Sequence, residues 1–174
     1  MCMARAKNLQ EEIRQSKPFQ SPYEEAFLSI LRTADLLRRQ ANELVVHWEL
    51  TEQQYNVLRI LRGAGEVGLP TLEIASRMIE RTPGITRLLD RLEKKRLIRR
   101  FRSKDDRRQV ICHITAAGLT VLGDLDEPTQ NFTTSALSVL SRDEARVMWS
   151  KYSRRIAGGG NLPSDSCSDR TSVS

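Results

Sequence analysis

Apolar residues recur along most of the chain at helical steps, and one short segment changes to a period of two. From Tyr23 the sequence Tyr23, Phe27, Ile30, Ala34, Leu37, Ala41, Leu44, Trp48 follows steps of four and three, a heptad-like seam. A helix of this length needs cover for its stripe. Either a second copy supplies it or the helix is a core element of one monomer. The flanking Phe, Leu and Val residues widen the stripe and favour a dimer helix. Thr51-Glu52-Gln53-Gln54 has the form of a capping box, and it opens a helix with Tyr55, Leu58, Ile60 and Leu61 that is expected to stop at Gly63. Thr71 is expected to cap a short helix over Leu72 to Met78, with Ile74 and Met78 inward and Ala75 as a close contact point.

The next helix is expected to begin with Thr82 as N-cap and Pro83 at the first helical position, where a missing N–H costs nothing. Ile85, Leu88, Leu89 and Leu92 share one face, and Arg87, Arg91, Lys94 and Lys95 lie roughly opposite. After Leu97 the period is two: Ile98 to Arg102 and Gln109 to Ile114 are expected to form a hairpin, with Val110, Cys112 and Ile114 inward. Thr115 caps a helix striped by Leu119, Leu122 and Leu125, which Pro128 is expected to kink or break, with helix resuming through Phe132, Leu137 and Leu140. Ser141-Arg142-Asp143-Glu144 is a second capping box, before a last helix carrying Ala145, Met148, Trp149, Tyr152 and Ile156.

The expected fold class is therefore mainly α with a small β-hairpin wing: a winged helix-turn-helix flanked by N- and C-terminal dimerisation helices. Residues 1–20 are read as a mobile arm, 21–157 as the winged-helix domain and 158–174, rich in Ser and Asp, as a disordered tail. Within the domain, about 51–115 is the DNA-binding part, and about 22–48 and 116–157 are the dimerisation helices.

Charge sharpens this picture. Between Arg81 and Arg108 there are twelve Lys or Arg and four Asp or Glu, a local net of +8 in a chain of net +6. A basic stripe on an otherwise near-neutral protein is the footprint of nucleic-acid binding, although a charge run can also be a solvated face. The stripe offers only Phe101 for base stacking, which argues against single-stranded or RNA recognition. Gly63-Ala64-Gly65-Glu66-Val67-Gly68 matches a dinucleotide fingerprint by letter, but a helix precedes it and Leu69-Pro70 follows. The fingerprint needs a strand before and a helix after, so a flexible turn is the better account and no cofactor is expected. Three cysteines (Cys2, Cys112, Cys167) and two histidines (His47, His113) match no metal motif or disulfide framework. Cys112 is read as a small core residue. No paired catalytic constellation is present, so an enzyme is not expected. No run of 18 apolar residues and no apolar signal region occur, so a cytoplasmic location is expected.

The order of elements resembles the MarR family of winged-helix transcription regulators over roughly Tyr23 to Ile156. The segment Asp106-Arg107-Arg108-Gln109-Val110-Ile111-Cys112-His113-Ile114-Thr115 fits that family's wing motif, and Thr82 to Glu93 looks like its recognition helix. The resemblance implies a homodimer with interlocked terminal helices, a recognition helix in each major groove and a wing arginine in each minor groove. It also implies repression, often relieved by a small aromatic acid or by cysteine oxidation. On this basis Thr82, Pro83, Gly84, Thr86 and Arg87 are expected at bases and nearby phosphates, with Arg87 suited to a guanine edge. Arg91 and Lys104 are assigned to phosphate. Arg107 and Arg108 are both minor-groove candidates, and one of them is an alternative partner for Asp106 in stiffening the wing. His47, Trp48 and Tyr55 are the candidates for lining an effector pocket. The rival reading is a winged-helix protein-interaction module.

Overall fold

A computed structural model describes residues 8–80, 83–103, 106 and 108–157, with side chains placed up to Ser153. Thr82, Lys104, Arg107, Ile156 as a side chain, and the expected tail 158–174 lie outside the described residues. The chain forms two compact units, residues 1–132 and 133–174.

The first unit begins with a single turn of helix, α1 (Leu9–Glu12), capped by the Asn8 side chain on the Glu11 amide. Glu12 of this turn pairs with Arg32 at 2.8 Å on the helix that follows. That helix, α2 (Pro22–Val46), starts where Ser21 accepts from the Glu24 amide and Pro22 takes the first helical position. Helix α3 (Glu52–Ala64) opens on the full capping box: Thr51 Oγ1 accepts from the Gln54 amide, and the Thr51 amide donates to the Gln54 side chain. It runs past the expected stop at Gly63 to Gly65, which ends it at φ 64°. Gly65 takes the positive φ that ends a helix, and Gly63 does not.

A 3-10 turn (Gly65–Val67) leads to β1 (Leu69–Pro70), a two-residue strand that pairs with the hairpin. The segment expected to be a flexible turn is therefore anchored. Helix α4 (Thr71–Arg77) follows directly, with Pro70 at its N-cap position and no side-chain cap. Thr71 does not cap as expected. It is the first helical residue, and its hydroxyl lies 3.5 Å from the Val110 carbonyl and 3.9 Å from Cys112 Sγ.

Helix α5 spans Ile85–Lys94. Its N-cap is Gly84 at φ 92°, and no side chain caps it, so Pro83 precedes the helix instead of opening it. Glycine is favoured at that backbone angle, so the chain turns there and the helix starts two residues later than expected. Strands β2 (Ile98–Arg102) and β3 (Val110–Ile114) form the hairpin, in register Ile98 to Ile114 and Arg102 to Val110. The antiparallel sheet has the order β1-β3-β2. Its edge position accommodates Pro70, which has no N–H to give to a ladder.

Helix α6 (Ala116–Ala136) starts on Thr115, whose hydroxyl accepts from the Gly118 amide. Of the kink or break expected at Pro128, the break does not occur. The helix continues through it, forgoing one backbone hydrogen bond, while buried Leu122 and Leu125 anchor the preceding turns. Helix does not resume through Leu140; residues 137–140 are turns. In the second unit α7 (Arg142–Ala157) opens on the expected box, with Ser141 Oγ accepting from the Glu144 amide and the Ser141 amide donating to Glu144.

The core of the first unit joins Val57, Leu58 and Leu61 of α3, Ile74 of α4, Leu88, Leu89 and Leu92 of α5, Ile98 and Cys112 of the hairpin, and Leu122 and Leu125 of α6. Each fully buried Leu contributes about 1.5–3 kcal/mol. These residues fix α5 on its apolar side and leave its other side to solvent.

Candidate nucleic-acid interface

The site is built from the outer face of α5 and the hairpin beside it. Leu88, Leu89 and Leu92 are buried, so the 3.6-residue period turns Thr86, Arg87, Arg91 and Lys94 outward, and all four are exposed. Thr86 and Arg87 occupy the first turn of α5, where unpaired amides add a positive field. Gly84 and Pro83 are exposed immediately ahead of them. A Cβ on Gly84 meets no atom of the chain within 4 Å, so within the fold its requirement is the positive φ. Lys95, expected among the outward cations, instead donates to the Glu49 carbonyl at 2.6 Å and reaches the Glu49 carboxylate at 3.2 Å. It joins the end of α5 to the α2–α3 connection.

In the hairpin turn, Asp106 organises the backbone. Its carboxylate accepts from the Arg108 amide at 2.9 Å and from the Gln109 side chain at 3.3 Å, and its own amide donates to Ser103 Oγ at 3.3 Å. The contact between Asp106 and Arg108 uses the Arg108 backbone, and Arg108 is exposed. Lys104 and Arg107 of the expected site lie outside the described residues.

One feature of this face was missed from sequence. Arg100 on β2 turns inward toward α5 and holds two carboxylates there. Its guanidinium donates to Glu93 at 2.8 and 2.5 Å and to Asp90 at 2.6 Å, while its backbone amide donates to Glu93 at 3.2 Å. The hydrogen bond to Glu93, and then that to Asp90, push the guanidinium pKa up. The available signal was the register: Arg100 shares a face with Ile98 and stands opposite Cys112, and Asp90 and Glu93 are three apart on the preceding helix. Cys112 is fully buried, and burial pushes its thiol up, as suits a core residue.

The three expected effector residues differ in exposure. His47 is exposed and meets the half-buried Trp48 edge-on at 6.5 Å. Tyr55 is buried in the core, its hydroxyl 3.1 Å from Thr129 Oγ1 and its ring 5.8 Å from the Arg59 guanidinium. A polar hollow of about 430 Å³ lies nearby, lined by Asp35, Arg38, Arg39, Glu43, Glu52 and Glu80 among others, and none of the three aromatic residues borders it. Arg38 pairs there with Glu80, and burial pushes the Glu52 carboxyl up. Among the described residues there is no cluster able to hold a metal ion and no helix long and apolar enough to cross a membrane.

Residues 50–110, which hold α3, α4, α5 and the first part of the hairpin, match the MarR family model. A MarR transcription factor from Planctomyces limnophilus, known from its crystal structure, is 38% identical. The similarity covers 79% of this chain and 99% of that one, with a TM-score of 0.61. The transcriptional regulator TtmR of Methylorubrum extorquens is 33% identical over 69% of this chain, and the match spans 60% of TtmR's own length. The MepR–DNA complex of Staphylococcus aureus shares the fold at 23% identity, with a TM-score of 0.67 over 81% of this chain and 99% of MepR. With the helix-turn-helix, the hairpin and this overlap together, the chain belongs to the MarR family of winged-helix, DNA-binding transcriptional regulators.

Proposed function

We propose that the protein is a homodimeric repressor that holds a pseudo-palindromic operator, with half-sites about one helical turn apart. The observation that carries this is the two-sided build of α5: Leu88, Leu89 and Leu92 buried behind, Thr86, Arg87 and Arg91 exposed in front. In this reading Thr82, Pro83, Gly84 and Thr86 bring the start of α5 against the major groove. Arg87 bonds a guanine edge. Arg91 and Lys104 contact phosphate. Asp106 shapes the wing turn, and Arg107 or Arg108 enters the minor groove, where A·T tracts narrow it.

The homodimer is supported by the apolar face that α2 leaves open: Tyr23 is 87% exposed and Phe27 61%. Isolated faces of this kind mark interaction surfaces. The protein performs no chemistry of its own and acts in the cytoplasm, beside the DNA. A small aromatic effector is the family expectation. Of the residues assigned to it, His47 and Trp48 offer open edges, while Tyr55 offers a ring and hydroxyl already engaged.

The test is selection of bound sequences from a random duplex pool, followed by titration against salt and random competitor. A two-fold symmetric consensus held in competitor is expected, with affinity falling steeply as salt rises. Arg87→Ala should weaken the selected site by about 1–3 kcal/mol and relax one base position. Equal loss on selected and random DNA would overturn the assignment of Arg87. Absence of binding to any duplex at low salt would favour a protein-interaction module.

A further inference from the structure

We propose that Arg100 is a positioning residue for DNA recognition, fixing the bearing of the hairpin relative to α5. The inference rests on the DNA-binding role, and it concerns a residue whose side chain faces α5.

The geometry is a two-point clamp. Nε and Nη2 of Arg100 converge on one Glu93 oxygen at 2.8 and 2.5 Å, and Nη2 also reaches Asp90 at 2.6 Å. The second Glu93 oxygen takes the Arg100 backbone amide at 3.2 Å. Glu93 therefore grips both the side chain and the main chain of β2, which removes rotation as well as translation. The Arg100 side chain is 22% exposed, so solvent screens these bonds less than it screens an ordinary surface pair. A planar fork satisfies two carboxylates in fixed directions, and an ammonium does not.

The position along the strand gives the clamp leverage. Arg100 stands opposite Cys112, and Cys112 pairs on its other side with Leu69 of β1. The sheet is thus held at one level across its width, and the hairpin turn at Asp106 projects beyond that level. A small change of angle at Arg100 becomes a larger displacement at the turn. The clamp also accounts for a puzzle of charge. Asp90 and Glu93 are acidic groups on a helix that meets phosphate, where they oppose binding unless they are needed for something else. Here they hold the wing.

Charge compensation alone is the competing role, and two variants separate it from positioning. Arg100→Lys keeps the charge and loses the fork. The triple variant Arg100→Gln, Asp90→Asn, Glu93→Gln removes the clamp and the stray carboxylates together. Both are compared with the wild-type protein by thermal melting, random-duplex affinity, affinity for the selected operator and hydroxyl-radical footprinting.

Both variants should melt cooperatively; Arg100→Lys should keep its random-duplex affinity, and the triple variant, one unit more positive, should hold random duplex at least as tightly. Both should lose roughly 10- to 100-fold in preference for the operator, with protection lost at the outer, wing-contacted base pairs and kept at the centre of each half-site. Wild-type preference and footprint in either variant would overturn the proposal, as would restoration by the triple variant alone, which would mean charge compensation. Loss of cooperative melting in both would make Arg100 a fold residue and also overturn it. Absence of any operator preference in the wild-type protein would overturn the DNA reading itself, and this assignment with it.

Discussion

Gly68 turns the chain into β1 at φ 67°, and it does so against the hairpin. A Cβ there would stand 2.6 Å from the Cys112 carbonyl and 2.7 Å from the His113 ring. His113 is itself engaged, with Nδ1 3.1 Å from the Glu66 carbonyl and the ring edge-on to Phe101. Gly68→Ala therefore combines an unfavourable backbone angle with a main-chain clash. It is expected to cost about 1–3 kcal/mol, read as a lowered melting temperature. The letter pattern around this glycine looks like a phosphate-binding loop, yet its structural reason is close approach of one strand to another. Identity alone does not separate those reasons. Arg100 was illegible for a similar cause: a run of arginines shows its total charge, but which member is neutralised depends on partners on another element. Arg87 and Arg91 were legible because their places follow from the helical period and nothing else.

Elements whose ends carry a side-chain device were placed well from sequence. Thr51 and Ser141 each precede a partner three residues on, and both boxes form. The start of α5 was misplaced because Thr82-Pro83 has the form of a cap and first-turn proline but no Glu or Gln partner three residues on, and the backbone angle of Gly84 overrides it. Strand β1 was not visible at all; two residues, one of them proline, carry no period, and only their pairing with β3 makes them a strand. The contact between α3 and α6 offers a test by pH. Arg62 bonds both Asp126 oxygens at 2.9 Å, and this hydrogen bond holds the Asp126 carboxyl below the usual carboxylate range. A lowered folded pKa adds stability above the ordinary carboxylate value, and that stability fades as pH falls through the lowered one. Asp126→Asn should therefore melt below wild type at neutral pH. The two should converge in acid, and a constant gap across the range would show that the ion pair is not its source.

At the scale of the whole molecule, charge and grease are segregated. Arg81 to Arg108 carries +8 of a chain total of +6, so the remainder is weakly acidic. Such a field orients the basic face toward a polyanion during approach. The uncovered apolar residues of α2 lie elsewhere, and they bear on assembly. Phe27→Glu, on a 61% exposed position, should leave the fold intact and shift mass in sedimentation from dimer to monomer. A dimer that persists unchanged would place the interface off this face.

The order of the sheet, β1-β3-β2, also has a bearing on synthesis. Its central strand is the last of the three to leave the ribosome, and the other two both lean on it. Until Val110–Ile114 emerges, Leu69 and Pro70 have no neighbour, and the stretch enclosing α4 and α5 is an open loop that has not recovered its closure entropy. Nascent chains that end before that strand hold the whole of α5 but lack the closed sheet beside it. The sheet beside α5 thus closes only when Val110–Ile114, the strand that joins the other two, has emerged.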